Sequence, residues 1–342
     1  MSDPVRVAVV GASGYAGAEL VRILAGHPHV ATASMHARGR DGAALAEAHP
    51  HLAPLDLRFT DGHPEPGSVD VAFLALPSGS SAELAIRLAE GGTTAIDIGS
   101  DLRLRDPAAY PAWYGFEHPA PAALESAVYG LTELARNRLP GARLIANPGC
   151  YPTAALLALV PFARAGLLTG DVVVDAKSGV SGAGRGAGAD YLYPELEGGT
   201  KPYGIGGHRH QPEIAQGLAD AGAPDVTLTF VPHLVPQVRG IVATCYLALA
   251  QDRDDEALGR LLLDAYDGEP FVHVLDRPPS SKLPWGSNHA FVHAARSGPR
   301  RAVVVAAIDN LGKGAAGQAV QNMNVALGLP ETAGLAALGI FP

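Results

Sequence analysis

The chain has 342 residues, enough for two domains and a sizeable core. Its 25 Lys and Arg against 34 Asp and Glu give a net charge of −9, which offers no basic field to nucleic acid or to an anionic membrane surface. Two cysteines, Cys150 and Cys245, exclude a disulfide scaffold, and no apolar run approaches the length of a membrane span.

The first strand, Val5 to Val10, is reached within five residues, which leaves no room for a signal peptide and leads us to expect a cytoplasmic protein. It runs into Gly11-Ala12-Ser13-Gly14-Tyr15-Ala16-Gly17 and then a helix with apolar positions at Ala16, Leu20, Val21 and Leu24. Strand, glycine turn and helix open a dinucleotide-binding βαβ unit, with Gly11, Ser13, Gly14, Tyr15, Ala16 and Gly17 as the pyrophosphate turn. An NAD reader presents an acid about 20 residues past the first glycine. Here the end of the second strand reads Ser34-Met35-His36-Ala37-Arg38-Gly39-Arg40, with no acid before Asp41. Ser34 and Arg38 are therefore candidates for a 2′-phosphate, and NADP(H) is the expected cofactor.

A third strand, Val69 to Leu76, ends at Pro77-Ser78-Gly79, and Ser80 with Glu83 has capping-box spacing before a helix through Leu88. A strand over Thr94 to Ile98 continues the β/α alternation of a parallel doubly wound sheet. Ligands gather at the carboxyl ends of such strands, which places Pro77, Ser78 and Gly79 beside the cofactor and Arg103 where an anionic substrate group would lie. Residues 106–121 read as an ordered loop, and Val128–Leu131 and Arg143–Ala146 lead to the domain change.

There the chain reads Asn147-Pro148-Gly149-Cys150-Tyr151-Pro152-Thr153 and enters an apolar helix. Cys150 falls at the helix start, where free N–H groups and the dipole favour a thiolate, so it is read as a nucleophile. Cys245 lies in a strand-like run and reads as inert core. From Asp171 onward strands dominate: Val172–Ala176, Val226–Phe230, Gly240–Leu249, Phe271–Val274 and Ala302–Ile308. Helices are expected near Pro212–Ala219, Glu256–Ala265 and Ala315–Leu327, giving an α+β domain on a mostly antiparallel or mixed sheet.

Ser178–Gly188, with Arg185 inside it, is either a flexible connector or a pocket loop whose glycines admit close backbone approach. His208-Arg209-His210 precedes the helix that Pro212 starts. No further Cys/His cluster completes a metal site, so none is expected, and a general acid/base role suits the pair better. Arg239 stands beside a strand, able to grip a carboxylate bidentately. Asp309-Asn310-Leu311-Gly312-Lys313-Gly314 is a strand-to-helix glycine turn without P-loop spacing, able to pack over a bound nucleotide.

A nicotinamide site with a reactive thiol and an acid/base histidine suits acyl chemistry with hydride transfer. GASGYAG at 11–17, NPGCYPTA at 147–154, SGAGR at 181–185, GHRHQPEI at 207–214, PHLVPQVRGI at 232–241 and DNLGKGAAGQAVQNMN at 309–324 together resemble the N-acetyl-γ-glutamyl-phosphate reductases of arginine biosynthesis, over essentially the whole chain. The resemblance implies a fold like that of aspartate-semialdehyde dehydrogenases. A Rossmann domain over 1–148 would precede an α+β domain over 149–312, with residues 313–342 returning to the nucleotide domain. It implies NADPH-dependent reduction of a small acyl phosphate, with Cys150 as nucleophile, His208 as acid/base and Glu213 behind that histidine. Ser181, Gly182 and Asn310 join the cofactor candidates. Asn147, Arg185, His210 and Arg239 join Arg103 as substrate candidates. A homodimer or homotetramer is expected. Thr132 stands where the family usually shows Pro. The alternatives are a sister reductase acting in aminoadipate-type lysine biosynthesis and a non-catalytic NADP(H) sensor.

Overall fold

Apolar runs bounded by glycine turns form the strands of two sheets, and the computed structural model describes residues 3–186 and 188–341. The chain divides into two units, residues 1–148 with 315–336 and residues 149–314 with 337–342. No helix among the described residues is long and apolar enough to cross a membrane.

The first unit carries β1 (Val5–Val10), β2 (Val30–His36), β3 (Phe59–Thr60), β4 (Val71–Leu74), β5 (Thr94–Asp97), β6 (Val128–Tyr129) and β7 (Leu144–Ala146). All pair in parallel, in the order β3-β2-β1-β4-β5-β7-β6. Both β4 and β5 are buried at every position, as a sheet covered on two faces requires. The order reverses between β1 and β4, the switch point where such sheets open a crevice. Gly11 ends β1 there with φ +84°, and a Cβ on it would lie 2.2 Å from Ala75 O, so only glycine fits.

Three expectations need correcting in this unit. The helix after β4 is Ala82–Glu90 with Ser81 as N-cap, so the Ser80/Glu83 capping box is not formed. Its start is held from a distance: Asp101 Oδ2 accepts from the amides of Ser81 at 2.8 Å and Ala82 at 3.2 Å. A short helix, Ala109–Tyr114, lies inside the stretch read as loop, anchored by the wholly buried Tyr110. Finally, the helix Gly317–Ala326 belongs to this unit, but residues 337–342 group with the second, where Ile340 N donates to Trp285 O at 2.8 Å.

The second unit carries β8 (Leu168–Ser178), β9 (Lys201–Pro202), β10 (Thr227–Leu234), β11 (Ile241–Leu249), β12 (Val272–Val274), β13 (Ala290–Gly298) and β14 (Arg301–Ile308). Their order is β12-β13-β14-β11-β8-β10-β9, a mixed sheet in which β8/β10 and β12/β13 are the parallel pairs. The sequence reading did not include β13, whose apolar run is interrupted by His293 and Arg296. Residues alternate in burial along β8 and β11, and the face away from the helices holds the half-buried Val173, Asp175, Lys177 and Thr244.

Against this sheet packs the helix Cys150–Arg164, buried at every position from Tyr151 to Ala163. Pro161 lies inside it and has no N–H for the carbonyl of Leu157, four residues back. The hydroxyl of Tyr266 donates to that carbonyl. Removing the hydroxyl with Tyr266→Phe leaves a buried acceptor unpaired, so urea unfolding should show a loss of about 1–3 kcal/mol. Stability equal to wild type would show that this bond does not repair the proline gap.

Candidate active site

Cys150 is the first residue of its helix, and Gly149 is the N-cap in extended conformation. The turn is fastened from two sides. Gly149 N donates to Glu213 Oε1 at 2.8 Å, and Gly149 O accepts from Thr153 N at 2.9 Å and from Thr153 Oγ1 at 3.0 Å. Glu213 is wholly buried in the first turn of the helix Gln211–Asp220. The resemblance sets Glu213 behind His208, and the structure lays its carboxylate on the amide next to Cys150. Cys150 itself is half-buried, whereas Cys245 is wholly buried and its thiol is pushed up by burial.

Aromatic rings connect Cys150 to the histidines. The Tyr151 and Tyr203 hydroxyls meet at 3.1 Å. Burial pushes both phenols up, Tyr203 to about 12, and a charge on Cys150 raises both further. Tyr151, the residue that follows Cys150, and Tyr203 both flank His208, whose centroid lies 5.8 Å from Tyr151, 5.5 Å from Tyr203, 5.2 Å from Phe230 and 4.8 Å from His210. Burial first, and Arg209 second, lower the His208 pKa to about 4. Its Nδ1 accepts from the His210 amide at 3.1 Å, so the neutral ring carries its proton on Nε2. His210 is buried. Tyr151 and Tyr203, which sequence reasoning passed over, are adjacent to named motifs but carry no periodic signal of their own.

A third element closes on Cys150. The turn Gly312–Ala316 is π-helical, a form that often marks functional sites, and a Cβ on Gly314 would lie 2.8 Å from Cys150 Cβ. Gly314 N donates to Asp309 O at 2.9 Å. Asp309 Oδ2 stands 2.7 Å from Arg239 Nε. Asn310 Oδ1 accepts from Gly240 N at 2.7 Å, and Asn310 Nδ2 donates to Ser181 Oγ at 3.0 Å. The structure thus brings Ser181, Arg239 and Asn310 together, with Gly182 near Asn310 Nδ2. Arg185 is exposed on its loop, where Ala187 lies outside the described residues. Among the described residues no group of three His, Cys, Asp or Glu is placed to hold a metal ion.

In the first unit, the helix Tyr15–Leu24 begins at Gly14 without a side-chain cap or an acid in its first turn, which suits an anion at its positive end. A Cβ on Gly17 would meet Gly11 O at 2.5 Å, so the helix packs directly on the turn formed by Gly11, Ser13, Gly14, Tyr15 and Ala16. Ser34 Oγ lies 3.0 Å from His36 Nε2, and Arg38 is exposed beyond the end of β2. Beyond β4, where Pro77 begins the loop, Gly79 N donates to Asp101 Oδ1 at 2.7 Å and Ser78 Oγ accepts from Ser100 Oγ at 2.7 Å. Asp97, beneath this loop, is wholly buried and pushed up to about 6 by burial and then by Asp101.

Asn147 departs from its expected role as a substrate ligand. It is wholly buried, its Nδ2 donating to Ala315 O at 3.1 Å and its Oδ1 accepting from Asn322 Nδ2 at 3.0 Å. The side chain holds the chain on its way to the cysteine turn. Arg103 is buried and donates from Nε to Asn147 O and from Nη2 to Ile98 O, both at 2.9 Å. Thr132 has a use of its own: its hydroxyl donates to Asn322 Oδ1 at 2.8 Å and accepts from Gln318 Nε2 at 2.6 Å.

Comparison with known proteins agrees with this geometry. Residues 6–142 match the family model "Semialdehyde dehydrogenase, NAD binding domain", and residues 150–310 match "Semialdehyde dehydrogenase, dimerisation domain". The chain is 48% identical to the N-acetyl-gamma-glutamyl-phosphate reductase of a Dehalococcoides mccartyi strain, over 98% of this chain and 99% of the relative. It is also 48% identical to that of Halorhodospira halophila, over 99% and 100%. Among solved structures, aspartate semialdehyde dehydrogenase II from Vibrio cholerae shares the fold with a TM-score of 0.72 at 18% identity, covering 94% of this chain and 98% of that one. Aspartate semialdehyde dehydrogenase with NADP from Candida albicans shares it at 0.70 and 15%, over 94% and 98%. With both of its halves matched and its relatives aligned end to end, the chain is an oxidoreductase that belongs to the N-acetyl-γ-glutamyl-phosphate reductase family of semialdehyde dehydrogenases.

Proposed function

We propose that the chain reduces N-acetyl-γ-glutamyl phosphate to N-acetylglutamate semialdehyde and phosphate in arginine biosynthesis, using NADPH and a thioester on Cys150. The observation that carries the mechanism is the half-buried Cys150 at the start of a buried helix, followed directly by Tyr151, whose ring flanks His208 together with that of Tyr203. The substrate is taken from similar proteins, eight of which carry this reductase name at 45–48% identity.

The helix start favours negative charge on Cys150, whose thiolate attacks the acyl carbon. The bond from that carbon to the phosphate oxygen breaks, phosphate leaves with the electron pair, and Cys150 holds the acyl group as a thioester. N–H groups of the turn support the oxyanion. The reduced nicotinamide supplies, when bound, the hydride for the acyl carbon. The Nε2–H of His208 donates a hydrogen bond to the hemithioacetal oxyanion that results, which then collapses to the carbonyl as the sulfur leaves with the electron pair of the carbon–sulfur bond. Carbon–sulfur cleavage releases the aldehyde and restores Cys150. A neutral His208 suits this role because its proton is already on the nitrogen that is not occupied by the His210 amide. The uncapped turn of Gly11–Gly17 fits the pyrophosphate. NADP over NAD rests on His36 ending β2 where an acid would otherwise read the ribose, with Ser34 and Arg38 nearby. The match to a dimerisation domain and the half-buried open face of the β8–β11 sheet support a homodimer. A nucleophilic thiol also fits the reducing cytoplasm.

Cys150→Ala should abolish NADPH oxidation with the acyl phosphate while fluorescence titration still shows NADPH binding. Full turnover by this variant would end the proposal. His208→Asn should slow turnover by about two to four orders of magnitude, and an unaltered pH–rate profile would remove the histidine from the chemistry. The same group affects stability. Between about pH 6.5 and its folded value of about 4, the unfolded chain binds a proton that the folded chain does not, so stability falls as the pH falls through this window. The loss is at most about 3 kcal/mol, and His208→Asn should flatten it in urea unfolding at pH 7.5 and 4.5.

A further inference from the structure

We propose that Asp309 is a positioning residue that aims the Arg239 guanidinium at an oxyanion of the substrate and clamps the turn packed on Cys150, a role that rests on the acyl-phosphate reading above. Asp309 is wholly buried at the end of β14, and burying a carboxylate is costly unless its lone pairs are met. They are met by groups from three segments. Oδ2 accepts from Gly286 N at 2.6 Å and lies 2.7 Å from Arg239 Nε. Oδ1 accepts from Leu311 N at 2.9 Å and Gly312 N at 3.1 Å. The backbone carbonyl accepts from Gly314 N, whose residue abuts the nucleophile.

The pair is asymmetric. The Arg239 side chain is 22% exposed while its partner carboxylate has no exposure, so the charge of the arginine extends outward from a buried anchor. The ion pair tethers the guanidinium through its Nε edge to a buried anchor, and recognition of a carboxylate or phosphate needs a guanidinium held in place. The backbone from which the arginine springs is packed closely too: a Cβ on Gly179 would lie 2.7 Å from Arg239 N. The next residue, Asn310, ties Gly240 and Ser181 to the same corner. Two adjacent side chains at one strand end thus set Arg239, the Ser181 loop and the turn against Cys150.

The reverse reaction tests this, because the substrate's two oxyanions then arrive on separate molecules: inorganic phosphate, and the carboxylate of N-acetylglutamate semialdehyde. In steady-state assays with NADP, Asp309→Asn should raise KM for one of these by about tenfold or more, change kcat less than about threefold, and leave KM for NADP unchanged. A rise for phosphate assigns Arg239 to the phosphate, and a rise for the semialdehyde assigns it to the carboxylate. Asp309→Glu should recover part of the loss. Arg239→Lys should raise the same KM, and the double variant should be no worse than the weaker single one. If Asp309→Asn does not fold, Arg239→Lys decides, and an unchanged KM overturns the proposal. So does an Asp309→Asn enzyme with unchanged KM values, or one in which kcat and every KM deteriorate together. A wild-type chain that does not turn over these substrates overturns this proposal and the acyl-phosphate reading together, whereas active wild type with unaltered variants overturns the positioning role alone.

Discussion

The helix Cys150–Arg164 buries thirteen consecutive residues, and that burial puts a demand on the polar groups at its start and at its proline. Its apolar residues face the sheet and its neighbours on all sides, so the element has no freedom to shift, and its first residue is held in one place. The two weak points of such a helix are its open N-terminus and the proline gap near its end. Glu213 takes up the Gly149 amide at the first, and the Tyr266 hydroxyl takes up the Leu157 carbonyl at the second. The thiol at its first residue is thereby placed by the packing of the whole helix.

Buried polar side chains play the same part elsewhere. In the first unit Asp101 caps a helix that its own sequence leaves uncapped. The helix Gly317–Ala326 carries Gln318, Gln321, Asn322 and Asn324 at full burial, with amides spent on Thr132, Gly130, Asn147 and Glu331. An amide buried without partners would cost more than an apolar side chain in its place, so such a network specifies one packing of the helix and resists others. Thr132 enters this network through its hydroxyl, a use that a proline at the same position lacks.

The rings of Tyr151, Tyr203 and His208 carry no charge. Burial keeps the Tyr151 and Tyr203 phenols protonated and His208 without charge near neutral pH. Rings that exclude water raise the worth of each remaining donor, and the His208 Nε2 proton is one. The Arg239 charge is held on its own anchor at Asp309.

Periodicity and turn chemistry determined much of this protein from sequence alone. The apolar runs of β1, β4 and β5 and the glycines at 11, 14 and 17 dictate a parallel dinucleotide-binding sheet, because few backbones let a helix sit that close to a strand end. The Pro-Gly-Cys turn before an apolar run fixes Cys150 at a helix start for equally local reasons. Tertiary structure alone decided what those local signals cannot carry. Asp101 displaces the expected Ser80/Glu83 cap from about 20 residues away, Asn147 turns inward to Asn322, and Asp309 meets Arg239 across 70 positions of chain. β13 is legible only as a partner for β12 and β14. A buried polar group takes whichever donor the packed fold brings within 3 Å, and that distance is set by packing and not by position along the chain.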